Sequence, residues 1–106
     1  MKFRIYAGMG GGFGGPRYQG TFEYNSREEA ERDAYEQAEE EYQSYEGYHG
    51  ILSWEECEDE LKELYYPEIP TEDDIDNYYR EEVEDWIDWY IQPAPDDAPE
   101  WEEDFD

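Results

Sequence analysis

Gly10, Gly12 and Gly15, within the run "GMGGGFGGPRYQG" at residues 8–20, satisfy the G-x-G-x-x-G spacing that can wrap a pyrophosphate. Seven of those thirteen residues are glycine, and Arg17 supplies a cation nearby. Phosphate binding of this kind needs a helix to start directly after the loop, because the helix N–H groups and dipole hold the anion. Here "PRYQGTFEY" follows, which reads as a strand. The other nucleotide loop needs a lysine after its last glycine, and Pro16 stands in that place. Phosphate chemistry is set aside, and two readings stay open. One is a long hairpin connection that uses glycine's freedom of φ. The other is a mobile recognition finger that presents Phe13 and Arg17 to a partner.

Nucleophilic and metal chemistry have little material. The chain holds one histidine, His49, and one cysteine, Cys57. Cys57 falls on an apolar stripe with Trp54, Leu61 and Leu64, where a cysteine behaves as a small buried hydrophobe. Carboxylates are so abundant that no acid/base pair stands out. "DDIDNYYREEVE" supplies some of the acids of a calcium loop but lacks its turn glycine. The expectation is a protein that is not an enzyme and uses no cofactor and no metal.

The chemistry left is that of the carboxylates themselves. The 106 residues carry 33 acids against seven Lys and Arg, for a net charge of −26. Residues 1–22 are +3 with no acid, and residues 23–106 are −29. Between residues 28 and 42 stand eight acids: Glu28, Glu29, Glu31, Asp33, Glu36, Glu39, Glu40 and Glu41. On a helix rising about 1.5 Å per residue they give roughly one charge per 3 Å, against one per about 3.4 Å along a DNA strand. Such a helix can present phosphate surrogates to a basic groove, with Tyr35, Tyr42 and Tyr45 filling gaps between basic side chains. Solubility alone asks for a charge of only about 2–8 on a small domain. Adaptation to high salt is the other source of so large an excess. Direct binding to nucleic acid or to anionic lipid is disfavoured, so the expected partner is a basic nucleic-acid-binding protein.

In size, acidity, scarcity of cysteine and aromatic content, the chain resembles the phage- and plasmid-encoded DNA-mimic inhibitors: anti-restriction proteins, anti-CRISPR proteins and the uracil-DNA glycosylase inhibitor. "MKFRIYAGMGGGFGG" and "YQSYEGYHG" are also similar to stretches of uncharacterised small phage proteins. The resemblance brings no functional residue with it. It implies a mode of action, occupation of the nucleic-acid groove of a host defence nuclease, and a place of action, the cytoplasm of an infected cell.

These residues must be held by a fold. Leu, Ile, Val and Phe number only 14, so aromatic residues, 19% of the chain, must supply much of the core. "KFRIYA" alternates Phe3, Ile5 and Ala7 against Lys2, Arg4 and Tyr6, and "RYQGTFEYN" alternates with Tyr18, Phe22 and Tyr24 on one face. Both are strands, giving a hairpin over 2–24. Ser26 with Glu29, Ser53 with Glu56 and Thr71 start three helices at about 27–45, 54–65 and 72–85. Ala30, Ala34, Ala38 and Tyr42 form a narrow stripe for packing the first helix on a sheet. "WIDWYI" fits either the end of the third helix or a third strand; the strand is favoured, because two strands make a poor sheet. The fold class is α+β: a short antiparallel sheet packed with acidic helices, one domain over 1–91.

From Gln92, three prolines and seven acids read as a mobile acidic tail over 92–106, and Trp101 and Phe105 are its aromatic anchors. The tail resembles the acidic, phenylalanine-bearing tail of single-stranded-DNA-binding proteins. No segment has the roughly 18 apolar residues of a membrane span, and the start shows no leader pattern, so a soluble protein is expected. The rival to mimicry is a small interaction protein that associates, as a homodimer for example, through tyrosine-rich surfaces.

Overall fold

The computed structural model describes residues 1–48 and 50–101. The alternating N-terminal segments form β1 (Lys2–Met9) and β2 (Arg17–Glu23), and "WIDWYI" divides: Trp86 ends a helix and Ile87 begins β3 (Ile87–Ala94). The three strands make one antiparallel sheet in the order β2-β1-β3, with β1 at its centre. Helices α1 (Arg27–Ser44), α2 (Trp54–Tyr65) and α3 (Glu72–Trp86) complete the α+β fold. Ser53 with Glu56, and Thr71 with Asp74, form reciprocal capping boxes. At α1 only half of the expected box forms: Ser26 Oγ accepts from the Glu29 N–H at 3.2 Å, while the Glu29 carboxylate accepts from Asn25 Nδ2 at 3.5 Å.

α1 lies on one face of the sheet. Ala30, Ala34 and Ala38 are fully buried, and their small side chains let the helix approach Phe3, Ile5 and Ile91 closely. A second small core gathers Met9, Tyr42, Ile51 and Val83 where α1 meets α3. A third, Cys57, Leu61 and Ile75, holds α2 to α3, where Trp54 Nε1 also donates to Asp76 at 2.7 Å. Strung out in this way, the cores give a body of 59 × 28 × 15 Å with a radius of gyration of 16.9 Å. A compact chain of this length has about 13 Å.

β2 departs from the expected alternation. Ile5 pairs with Gly20 and Tyr6 with Tyr18, so Gln19 is an extra residue and the register slips. The bulge turns Tyr18 to the outer face, while Phe22 and Tyr24 stay on the core face. Gly20 has φ +129°, and a Cβ there would stand 2.7 Å from the Phe22 ring, so the bulge requires glycine.

The expected tail is also corrected over residues 92–101, while 102–106 lie outside the described residues. Gln92–Ala94 belong to β3, paired with Arg4, Phe3 and Lys2. Beyond them a turn (Ala98 N–H to Pro95 O, 3.0 Å) carries the chain across the outer face to the free edge of β2. There the Thr21 N–H donates to Glu100 O at 2.7 Å, and Lys2 Nζ donates to Ala98 O at 2.5 Å. Pairing to β1 and β2, which local composition does not encode, holds this proline-rich acidic segment.

Candidate functional site

The acids of α1 divide by their surroundings. Glu28, Glu36 and Glu40 are exposed, while Glu29, Glu31, Asp33, Glu39 and Glu41 are half-buried. Asp33 accepts from the Tyr24 hydroxyl and, at 3.2 Å, from Gln37 Nε2. Glu41 holds Arg17 at 3.1 Å, and Arg27 approaches Glu31 at 3.9 Å. The eight therefore surround the helix outside its alanine stripe: some carboxylates anchor the fold, and Glu28, Glu36 and Glu40 are exposed.

The negative face continues onto α2 and α3. Tyr35 stands half-buried between α1 and α3 in a cleft lined by Arg32, Glu36, Glu39, Arg80 and Glu84. Its phenol is held above the ordinary tyrosine range by burial, then by Glu84 and Glu39, against a smaller opposing effect of Arg80. On α3, burial, followed by the charges of Asp85, Glu60 and Glu81, raises the Glu82 carboxyl above its ordinary value. Glu60 lies on α2, so carboxylates of two helices share one field.

Tyr42 is corrected. It is 0% exposed, and its hydroxyl donates to Leu52 O at 2.6 Å. It belongs to the core and offers nothing to a partner. The mobile-finger reading of the glycine run is corrected as well. The Gly10 N–H donates to Trp86 O at 2.7 Å and the Gly15 N–H to Met9 O at 2.9 Å, with one 3-10 turn at Gly11–Phe13 between them. The loop is folded back against the body: Phe13 packs on Tyr45 (centroids 4.8 Å) and edge-on to Trp86 (6.0 Å). Arg17 donates to Glu41, one turn before the Tyr45 on which Phe13 packs.

Phe13 and Tyr45 are thus brought together, and with them comes Tyr48, which the sequence reading passed over. Gly47, at φ +85°, turns the chain after α1, and the Tyr48 N–H donates back to Tyr45 O at 3.0 Å. Phe13, Tyr45 and Tyr48, with Ser44 and Glu46, line an open cleft of about 330 Å³. Glu46 accepts from the Tyr79 hydroxyl, a phenol that burial and then this carboxylate hold above its ordinary value. The spacing of aromatics in "YQSYEGYHG" was the available signal for this cluster.

On the outer sheet face a second row of rings runs Trp101–Tyr18–Tyr6–Tyr90, with centroid spacings of 4.9, 5.6 and 4.3 Å. Trp101 is placed here by the docked segment; Phe105 lies outside the described residues. Exposed Tyr66 and Ile69 mark the turn joining α2 to α3, and Leu64, in the last turn of α2, is exposed rather than part of the buried stripe of Cys57 and Leu61.

Cys57 is fully buried, and its thiol is pushed up to about 12, by burial first and then by Glu82, Glu60, Glu56 and Glu46. It holds no thiolate at neutral pH, and His49 lies outside the described residues. "DDIDNYYREEVE" lies within the continuous helix α3 and does not form a loop around a cation. Among the described residues no group of three His, Cys, Asp or Glu is placed to hold a metal ion, and no helix is long and apolar enough to cross a membrane. Comparison with protein families, with curated proteins and with solved structures finds no match to this chain.

Proposed function

We propose that this protein is a nucleic-acid mimic that occupies the basic groove of a nucleic-acid-binding enzyme, with a host defence nuclease as the target class. The observation that carries the reading is the combination of charge and shape. The described residues carry −22, the chain's −26 less Glu102, Glu103, Asp104 and Asp106, and along a body 59 Å long that is roughly one charge per 2.7 Å, between the one per about 1.7 Å of duplex DNA and the one per about 3.4 Å of a single strand. A compact acidic domain would gather its charge on a ball; here three helices spread it along a rod. Glu28, Glu36 and Glu40 on α1 are the outward carboxylates best placed to meet basic side chains.

The test is capture of partners on the tagged protein from host lysate, between about 50 and 200 mM salt. Mimicry requires that a nucleic-acid-binding protein be held at low salt and released by high salt or by added duplex DNA. Capture that resists salt and yields no such protein would overturn the reading. That outcome would favour the alternative, association through aromatic surfaces, for which the ring row ending in exposed Tyr90 and Trp101 is the supporting observation.

A further inference from the structure

We propose that the cleft among Phe13, Tyr45 and Tyr48 is a cation site that takes the guanidinium of an arginine side chain. The proposal deepens the mimic reading, on which it rests only for the owner of that arginine, the basic partner.

Three kinds of group converge there. The first is a set of aromatic faces: Phe13 and Tyr45 meet with centroids 4.8 Å apart and planes at 55°, and Tyr48 joins Tyr45 at 6.4 Å and 45°. Rings inclined in this way form walls rather than a closed stack, and the cleft of about 330 Å³ stays open between them. Ring faces carry the negative part of the aromatic quadrupole and attract cations. The second is the C-terminal end of α1, the negative end of its dipole, equivalent to roughly half a charge, although the carbonyls of Glu41, Tyr42 and Gln43 already accept from Ser44 Oγ and from the Tyr45 and Glu46 N–H groups. The last turn of α1 contains no basic residue of its own, the nearest described cation being Arg17 on Glu41, and Ser44 and Tyr45 at that end line the cleft. The third is the Glu46 carboxylate, which accepts one bond from Tyr79 and retains lone pairs for others.

The same groups exclude other occupants. An anion would meet Glu46, the helix end and a net charge of −26. A purely apolar anchor would desolvate Glu46 without satisfying it. Among the described residues lining the cleft there is no Lys or Arg. Arginine suits the cleft better than lysine, because a planar guanidinium stacks on a ring face while its N–H groups reach a carboxylate.

The test uses the full chain and two small probes, N-acetyl-arginine amide and its neutral isostere N-acetyl-citrulline amide. Each is titrated at constant ionic strength while the ring protons of Tyr45 and Tyr48 are followed by NMR. The arginine probe is expected to saturate at these rings, with the citrulline probe about three- to thirtyfold weaker. Tyr48 is 54% exposed, so Tyr48→Leu keeps the fold and should weaken the arginine probe by a similar factor. Glu46→Gln, which keeps an oxygen for Tyr79, should weaken it as well. Equal binding of the two probes, or an arginine titration unmoved by Tyr48→Leu, overturns the proposal. So does a response at the two rings that merely tracks carboxylates elsewhere on α2 and α3, since any cation would produce it. If the probe saturates and no basic protein is captured from lysate, the cation site stands and the mimic reading fails.

Discussion

Neutralising Glu36 and Glu40 together is expected to stabilise the fold while weakening partner capture. The two carboxylates are exposed and one turn apart on α1, so their Cβ atoms are about 5–6 Å apart and a like-charge pair costs about 0.2–0.5 kcal/mol. Glu40 also stands near the C-terminal end of the helix, where a negative charge opposes the dipole by a few tenths of a kcal/mol. Gln matches Glu in helix propensity, so Glu36→Gln/Glu40→Gln removes charge and little else. The gain is about 0.5–1 kcal/mol. A chain of this length has an unfolding entropy of roughly 0.2 kcal/mol/K, so Tm rises by about 2–5 °C. Circular-dichroism melts near 0.01 M salt, where the Debye length is about 30 Å, should show the full rise, and melts near 1 M, where it is about 3 Å, should show little. Each exposed charge contributes about 0.2–1 kcal/mol to a contact, so capture of a basic partner should weaken by roughly two- to thirtyfold at low salt. Opposite signs for stability and binding separate a charge kept for recognition from damage to the fold. A Tm that falls at low salt would refute the premise that these charges exceed what folding uses.

Two further outcomes follow from buried groups. Tyr42→Phe deletes the 2.6 Å bond to Leu52 O and leaves a partly buried carbonyl without that donor, so it should cost about 1–2 kcal/mol, or roughly 5–9 °C in Tm, with partner capture at unchanged strength. Capture lost without a fall in Tm would return Tyr42 to the surface. Glu82 has a folded-state pKa above its ordinary value, so its contribution to stability is present at acid pH and is lost as pH rises through that value. Glu82→Gln should therefore be more stable than the parent at neutral pH, and urea titrations of the two should converge as pH falls through the carboxylate range.

Much of the fold was legible because it is local. Cap residues Ser53 and Thr71 set two helix starts, and the four-residue recurrence of Ala30, Ala34 and Ala38 set the face that α1 turns to the sheet. What local pattern could not show were the pairings across the chain. One extra residue at Gln19 reverses which face Tyr18 occupies, and alternation alone carries no sign of it. The acidic, proline-rich stretch after Ala94 has the composition of a disordered segment, yet bonds from Thr21 and Lys2 hold it from some eighty to a hundred residues away. Tyr42 shares its stripe with three alanines, a position that made it core, while its chemistry suggested a surface contact. The cleft was half legible: Phe13 and Tyr45 were candidates, but only the turn at Gly47 brings Tyr48 to join them.

The charge asymmetry along the sequence finds its use in the same pairings. β1 is the central strand, covered by α1 on one face and crossed by the docked segment on the other, so an acid there would be desolvated among acids. Its cations instead hold down negative or carbonyl-rich neighbours: Lys2 grips Ala98 O beside Asp96, Asp97 and Glu100, Arg4 donates to Pro93 O at 3.2 Å, and Arg17 on β2 holds Glu41. The three positive charges of residues 1–22 are thus engaged at the surface by the molecule's own carbonyls and by Glu41. A glycine loop that resembles a phosphate cradle sits beside them and is closed by Trp86, Met9 and Tyr45. Positive charge held in local pairs such as Arg17–Glu41, Arg27–Glu31 and Lys62–Glu58 leaves most of the described acids unpaired with a base, and that is the distribution a basic groove would accept.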